Sequence, residues 1–312
     1  MGGDDMKPRV VLTWLVRLVA TLGLLAWVLH RDDVREGLHA AQVVAPWWIA
    51  AAVAAGGIAA ICAAWRWHLC LRACDCALPF GTVLRMSLAG SAAGLLSIGP
   101  LGVDAVRVAL ATRRLPNRAS ALLASVALDH VSALPAFVAL TTVIIGVLGV
   151  RATPNREALV TIASITLVCV IAAIGIRVFR KAWHDRLVAY AMSRLRAPGT
   201  SRAALVSVPM LVAHYGIFVC TAQAFAVPAP AFGLFGASVI ADSIASLPIT
   251  IAGIGVREKA FEVLLGSWYA VPTALAVLTS LSGLLVLALW AVVGVLAFPV
   301  RGHAAPLETA AG

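Results

Sequence analysis

The chain has 312 residues, 62% of them hydrophobic and only 12% charged, against about 25% charged in an ordinary soluble domain. That balance excludes a sizeable water-soluble domain. The formal net charge of +10 does not point to nucleic acid, because the basic residues are spread between apolar runs and form no single soluble face. Membrane topology and anionic lipid headgroups account for it better.

Apolar runs of the roughly 20 residues needed to cross a hydrocarbon core of about 30 Å recur from Val10 to Phe298. The first, Val10–Leu29, follows Lys7 and Arg9 but is long and lacks a small-x-small cleavage site, which predicts a retained span and not a signal peptide. The next is Pro46–Trp65, with Arg66, Arg72 and Arg85 read as charges flanking the entry to a first broken element. This element, Leu84–Leu110, breaks at a Gly/Pro cluster and resumes with charged residues. Ser120–Val150, Ala158–Ile176 and Leu205–Val227 read as further spans. Phe232–Leu265 breaks as the earlier element does, and Val271–Phe298 closes the series.

The two breaks can be aligned. Ile98-Gly99-Pro100-Leu101-Gly102-Val103-Asp104 and Ile251-Ala252-Gly253-Ile254-Gly255-Val256-Arg257 share an apolar-small-small-apolar-Gly-Val pattern. The order span, span, broken element, span therefore occurs twice. It divides a single membrane domain, residues 1–312, into a first repeat at 1–150 and a second at 151–312.

Charge sets the expected orientation, since Lys and Arg collect on the cytoplasmic side. Arg107, Arg113, Arg114 and Arg118 follow the first break, and Arg177, Arg180, Lys181, Arg186, Arg194, Arg196 and Arg202 crowd the middle loop. Both ends of the first broken element then favour the cytoplasm, while the uncharged Pro228–Ala231 link places the second on the opposite side. The expected fold is an all-α polytopic membrane protein with an inverted repeat: six full spans plus two opposed re-entrant hairpins, with about eight spans as the competing count. Both termini are expected in the cytoplasm, and the membrane is expected to be the inner one. In secondary transporters, Gly/Pro-interrupted segments at corresponding positions of two halves mark the substrate site.

Ionisable residues inside membrane segments cost about 2.5–3.5 kcal/mol each on insertion scales, so they face protein or water and mark a pathway. Asp104 and Arg107 share a helix face past the first break, and Arg257, Glu258 and Glu262 follow the second. Asp129 and His130 lie about ten residues into their span, too deep for a short Asp to snorkel, and Asp129 needs a buried partner such as Arg107 or Arg257. Asp242 is a weaker example, and His214 and Arg17 are weaker again. Cys70, Cys74 and Cys76 stand close together without the paired spacing of a zinc site, and read as reduced thiols. No GxSxG, HExxH, Walker or Rossmann pattern specifies a covalent reaction or a cofactor.

Three stretches carry a resemblance: Leu95–Arg107 (LLSIGPLGVDAVR), Ala121–His130 (ALLASVALDH) and Ser246–Glu258 (SLPITIAGIGVRE). They resemble the lysylphosphatidylglycerol synthase transmembrane-region family, also called the flippase-like family. Gly102, Asp104 and Arg107 match its first segment, Asp129 its second, and Leu247, Pro248, Gly253, Gly255 and Glu258 its third. Val103, His130, Thr250 and Ala252 depart from it, so the headgroup chosen by relatives does not carry over. The resemblance implies a protein that moves a phospholipid or another lipid with a polar headgroup between leaflets, without the soluble domain that synthesises aminoacylated lipid. Its expected ligands are membrane lipids with anionic headgroups, held by Gly102, Asp104, Arg107, Asp129, His130, Pro248, Gly253, Gly255, Arg257 and Glu258. No metal is expected. Two rival expectations stand beside it: a membrane-embedded lipid-modifying enzyme using Asp129, His130 or Glu258, and a non-transporting partner of lipid- or glycan-synthesis enzymes.

Overall fold

The computed structural model describes residues 30, 32, 35, 45–96, 100–149, 190, 193–195, 197–245 and 253–297. All the secondary structure among them is helical. The eight helices are α1 (Trp47–Ala73), α2 (Phe80–Leu96), α3 (Pro100–Thr112), α4 (Ala119–Gly149), α5 (Pro198–Ala224), α6 (Ala231–Ala245), α7 (Val256–Tyr269) and α8 (Thr273–Ala297). Helices α1, α4, α5 and α8 are long and apolar enough to cross a membrane. They turn Ile58, Ile61, Val143, Leu205, Val208, Leu285 and Leu296 outward, as lipid contact requires. The expected spans Val10–Leu29 and Ala158–Ile176 lie outside the described residues.

The internal repeat is far more regular in the backbone than in the sequence. Helices α1 and α5 both have 27 residues, and a constant offset of 151 relates Trp47 to Pro198 and Ala73 to Ala224. Each ends in the same Schellman turn. Cys76 N–H donates to Leu71 C=O at 2.9 Å and Asp75 N–H to Arg72 C=O at 3.2 Å. At the matching positions, Val227 N–H donates to Ala222 C=O at 3.0 Å and Ala226 N–H to Gln223 C=O at 3.2 Å. Asp75 and Ala226 take the left-handed conformation there, with φ of 56° and 50°. Pro79 and Pro230 then lead into α2 and α6.

The two copies run in opposite directions. Ala45 N–H at the start of α1 donates to Ala224 C=O at the end of α5, and Gly199 at the start of α5 lies against Leu69 and Ala73 at the end of α1. The packing follows the same symmetry. Helix α1 packs on α5, α2 on α8 and α4 on α6; α4 meets α5 as α8 meets α1, and α8 meets α5 as α4 meets α1. Among the described residues every substantial helix contact has its repeat-related counterpart.

The second arm of each broken element is too short to cross a core of about 30 Å unaided. Helix α3 has 13 residues and α7 has 14, which rise about 20 Å each. Both arms also return to the side they came from. One buried cluster joins Cys74, Leu78, Val83, Ala111, Ala121 and Leu122, drawn from the end of α1, the start of α2, the end of α3 and the start of α4. Its counterpart joins Ala222, Val227, Leu234, Leu265, Val271 and Ala276 in the second copy. The broken elements are thus re-entrant hairpins with their bases at opposite ends of the molecule.

The two ends differ in charge. Arg72, Arg85, Arg113, Arg114, Arg118 and Arg202 are exposed around the first base, and Arg194 bridges to Asp75 there at 2.6 Å. Around the second base, residues 225–241 and 263–297 contain no charged side chain.

Helix α1 meets α8 through glycine. A Cβ at Gly57 would stand 2.6 Å from Cζ2 of Trp290, and the indole Nε1–H donates to Val53 C=O at 2.9 Å. Close approach of this kind, not hydrophobic force, holds helices together in lipid.

At the first base, burial beside the Cys76 thiol and the Asp75 carboxylate pushes the Cys74 thiol up to about 11. The thiolate is the nucleophile, so Cys74 is expected to alkylate roughly two orders of magnitude more slowly than an exposed cysteine at neutral pH. The rate should climb with pH. Maleimide or iodoacetamide labelling of a variant keeping Cys74 as its sole cysteine measures this. Fast labelling at neutral pH would mean that the turn opens to water.

Candidate functional site

Each hairpin carries an ion cluster, and each cluster is built from helices of its own half. In the first, α1 supplies Arg66, α3 supplies Asp104 and Arg107, and α4 supplies Asp129 and His130. Arg66 grips Asp129 with two parallel bonds, Nε to Oδ1 at 2.7 Å and Nη2 to Oδ2 at 3.0 Å. This forked geometry is one that only arginine offers a carboxylate. Arg107 Nη1 approaches Oδ2 of the same Asp129 at 3.5 Å and Oδ1 of Asp104 at 3.8 Å. Asp104 is held from its other side by His130 Nε2 at 2.6 Å. The Arg107 guanidinium lies over the Trp67 ring at 5.3 Å, and Trp67 is fixed by its Nε1–H bond to Ser125 Oγ at 3.2 Å.

Arg66, Arg107 and Asp129 are buried and Asp104 is nearly so, whereas the His130 ring is about half exposed. The formal charges of Arg66, Arg107, Asp104 and Asp129 cancel. Even so, Nη1 of Arg66 and Nε of Arg107 are buried with no hydrogen-bond partner among the described residues. A buried N–H without an acceptor is costly.

The second cluster draws His214 from α5, Asp242 from α6, Arg257 and Glu258 from α7, and Ser280 from α8. Arg257 bonds Asp242 Oδ1 through Nη2 at 2.8 Å and Nε at 3.2 Å. His214 Nε2 meets Asp242 Oδ2 at 3.1 Å. The Arg257 guanidinium lies over Phe218 at 5.9 Å, and Phe218 is the residue that the 151-residue offset pairs with Trp67. Nη1 of Arg257 is another buried donor with no partner among the described residues.

Gly253 and Gly255 turn the chain into α7, with φ of 72° and 84°, values that a side chain adopts only under strain. Gly255 is the N-cap of α7. Its N–H donates to Glu258 Oε2, which is half of a capping box, and Ser280 Oγ donates to Glu258 Oε1 at 2.9 Å. Glu258 is fully buried, so its first task is to close the helix end.

The structure thus brings Asp104, Arg107, Asp129 and His130 together in one cluster and Gly255, Arg257 and Glu258 in the other. Gly102 lies in the first turn of α3 and Gly253 at the start of the turn into α7. Pro248, with Leu247, Thr250 and Ala252, lies outside the described residues. Arg66 calls for a correction, since it is no flanking loop charge but the main partner of Asp129, inside a helix that continues to Ala73. Arg257 serves Asp242 and not Asp129, and Glu262 bonds Lys259 at 3.0 Å.

Counted along the helices, Asp104 and Asp129 lie about 12–15 Å from the first base. His214, Asp242 and Arg257 lie about 15–18 Å from the second. In a core of about 30 Å both clusters fall toward mid-depth, approached from opposite ends. Long spans around two opposed re-entrant hairpins, each armed with buried ions, define a polytopic membrane protein of the inverted-repeat class.

Within that class, the chain belongs to the family described as "Lysylphosphatidylglycerol synthase TM region", which matches residues 14–294. Family membership ties it to a lipid-related function in the membrane. No curated protein matches the chain.

Proposed function

We propose that the protein moves a lipid with an anionic headgroup between leaflets, as a flippase-like transporter. The observation that carries this reading is the trio of buried guanidinium N–H groups on Arg66, Arg107 and Arg257 that find no acceptor among the described residues, set near mid-depth beside interrupted helices. A phosphate oxygen is the acceptor such groups suit best. Asp104, Asp129 and Asp242 hold the arginines when no headgroup is present, and a headgroup phosphate competes for the same N–H groups. Rocking one half against the other would expose the clusters alternately, as in other inverted-repeat carriers.

The positive-inside rule supports a cytoplasmic location for the arginine-rich end around the first hairpin base, and we read the membrane as the inner one. With the span that the sequence leads one to expect at Val10–Leu29, both termini are then expected in the cytoplasm.

Leaflet exchange in proteoliposomes tests the reading, with labelled phospholipids and polyprenyl phosphates and protein-free vesicles as the baseline. Wild type is expected to accelerate exchange, and Arg107→Ala to remove most of the acceleration while folding is checked by thermal melting. Absence of exchange from folded wild type would favour one of two other roles. Chemical turnover of lipid in detergent would mark an enzyme, and loss of a bound synthesis enzyme on neutralising the basic end would mark a recruiting partner.

A further inference from the structure

The two ion clusters share one motif, an Asp on a hairpin held by an Arg from that hairpin and a His from a neighbouring span. They differ in charge balance. In the first cluster two arginines face two aspartates, which is neutral with His130 uncharged. In the second, among the described residues, Asp242 and Glu258 stand against Arg257 alone, and Lys259 is matched by Glu262. The second hairpin therefore carries one acid too many for a low-dielectric setting, where net charge is expensive. One added proton restores neutrality.

His214 is placed to take it. Its ring is one-quarter exposed and Asp242 about one-fifth, while Arg257 is buried. Among the described residues, the charged and titratable groups facing it are Asp242 from α6, Arg257 from α7, and Tyr215 from its own helix. Around this stretch, α1 and α4 present apolar side chains, Ala52 and Val53 beside Ile217, and Phe137 and Leu140 beside Tyr215. Helix α8 contains no ionisable residue. The bond to Asp242 keeps a hydrogen on Nε2, which leaves Nδ1 as the atom that accepts the proton. Imidazolium then shares Asp242 with Arg257 and loosens that arginine's hold on it.

We propose that His214 and Asp242 form a proton-binding site in the second hairpin, and that proton uptake there frees Arg257 for the headgroup, so that lipid movement is driven by a proton gradient. The coupling rests on the transport reading above; the proton site itself does not.

The experiment has two arms. In proteoliposomes, wild-type exchange is measured with and without an imposed pH gradient, beside His214→Gln. Support is a wild-type rate that rises several-fold under the gradient and a His214→Gln rate that ignores it. Exchange by wild type with no gradient response overturns the coupling and leaves the transport reading standing.

In the second arm, nitrogen-15 NMR of histidine-labelled protein in detergent, assigned by His214→Gln, reads how many ring nitrogens carry hydrogen. The His214 ring is expected to carry two in wild type and one in Asp242→Asn. If no lipid is exchanged at all, this arm decides alone. A ring with one hydrogen in both proteins across neutral to mildly acidic pH overturns the site, and a change that depends on Asp242 keeps it.

Discussion

Asp129→Ala is expected to cost about 3–5 kcal/mol, because it leaves Arg66 and Arg107 buried with their shared counter-charge gone. Arg66 loses both of its bonds to Asp129, and among the described residues Asp104, at 3.8 Å, is the one carboxylate left to Arg107. Thermal melting in detergent should show a large drop or no folded protein. The pair Arg66→Met with Asp129→Leu is the informative partner. It removes both charges and keeps apolar bulk, so it should regain most of the lost stability. If the single change melted like wild type, the cluster would have to be wet, and buried, unmatched guanidinium groups could no longer carry the transport reading.

Gly253→Ala is expected to be nearly as damaging through a different cause. The residue sits at φ 72°, and an added Cβ would stand 2.5 Å from Ala245 Cβ and 2.7 Å from Ala245 C=O. Left-handed backbone costs a side chain about 1–2 kcal/mol, and overpacking adds about 1–3 kcal/mol. The end of α6 must shift to make room. Since α6 carries Asp242, exchange activity should fall together with melting temperature. Ala270→Gly is the contrast, because Ala270 already strains at φ 52° at the exposed end of α7. There a glycine relieves the backbone, and no loss of stability is expected. Equal losses at both sites would show that hairpin rigidity, not the contact with Ala245, governs the effect.

The fold class, the four described spans and both interruptions were legible in the sequence, because apolar length and Gly/Pro punctuation report directly on a membrane chain. The depth of the repeat was not. Helices α1 and α5 share a length and a terminal turn yet few residues, because a lipid-facing helix asks only for apolar side chains. The turn tolerates Asp75 in one copy and Ala226 in the other. Pro79 and Pro230, at the common offset, were the visible trace.

Arg66 escaped for a related reason. A charged residue lowers the local hydropathy, so the run reads as stopping at Trp65, although the helix continues through Trp67, Leu69, Cys70 and Leu71 to Ala73. Asp129 announced its need for a partner by its depth. Which arginines answered was a matter of three dimensions: Arg107, one of the two expected, approaches at 3.5 Å, while Arg66 makes the tighter bonds. Asp242 and His214 looked minor because each stood alone in an apolar run, and only the return of the second hairpin puts them beside Arg257.

The cross-packing of the halves has a consequence for synthesis. Helix α2 lies against α8, where Leu88 meets Gly294, and at about 5–20 residues per second roughly 10–40 s separate the two from the ribosome. For that interval the first hairpin is in the membrane with one flank still bare. Every ionic member of its cluster, Arg66, Asp104, Arg107, Asp129 and His130, is already made before the chain passes residue 131. The charges can thus be sheltered by their own half while the hairpin waits for the last helix.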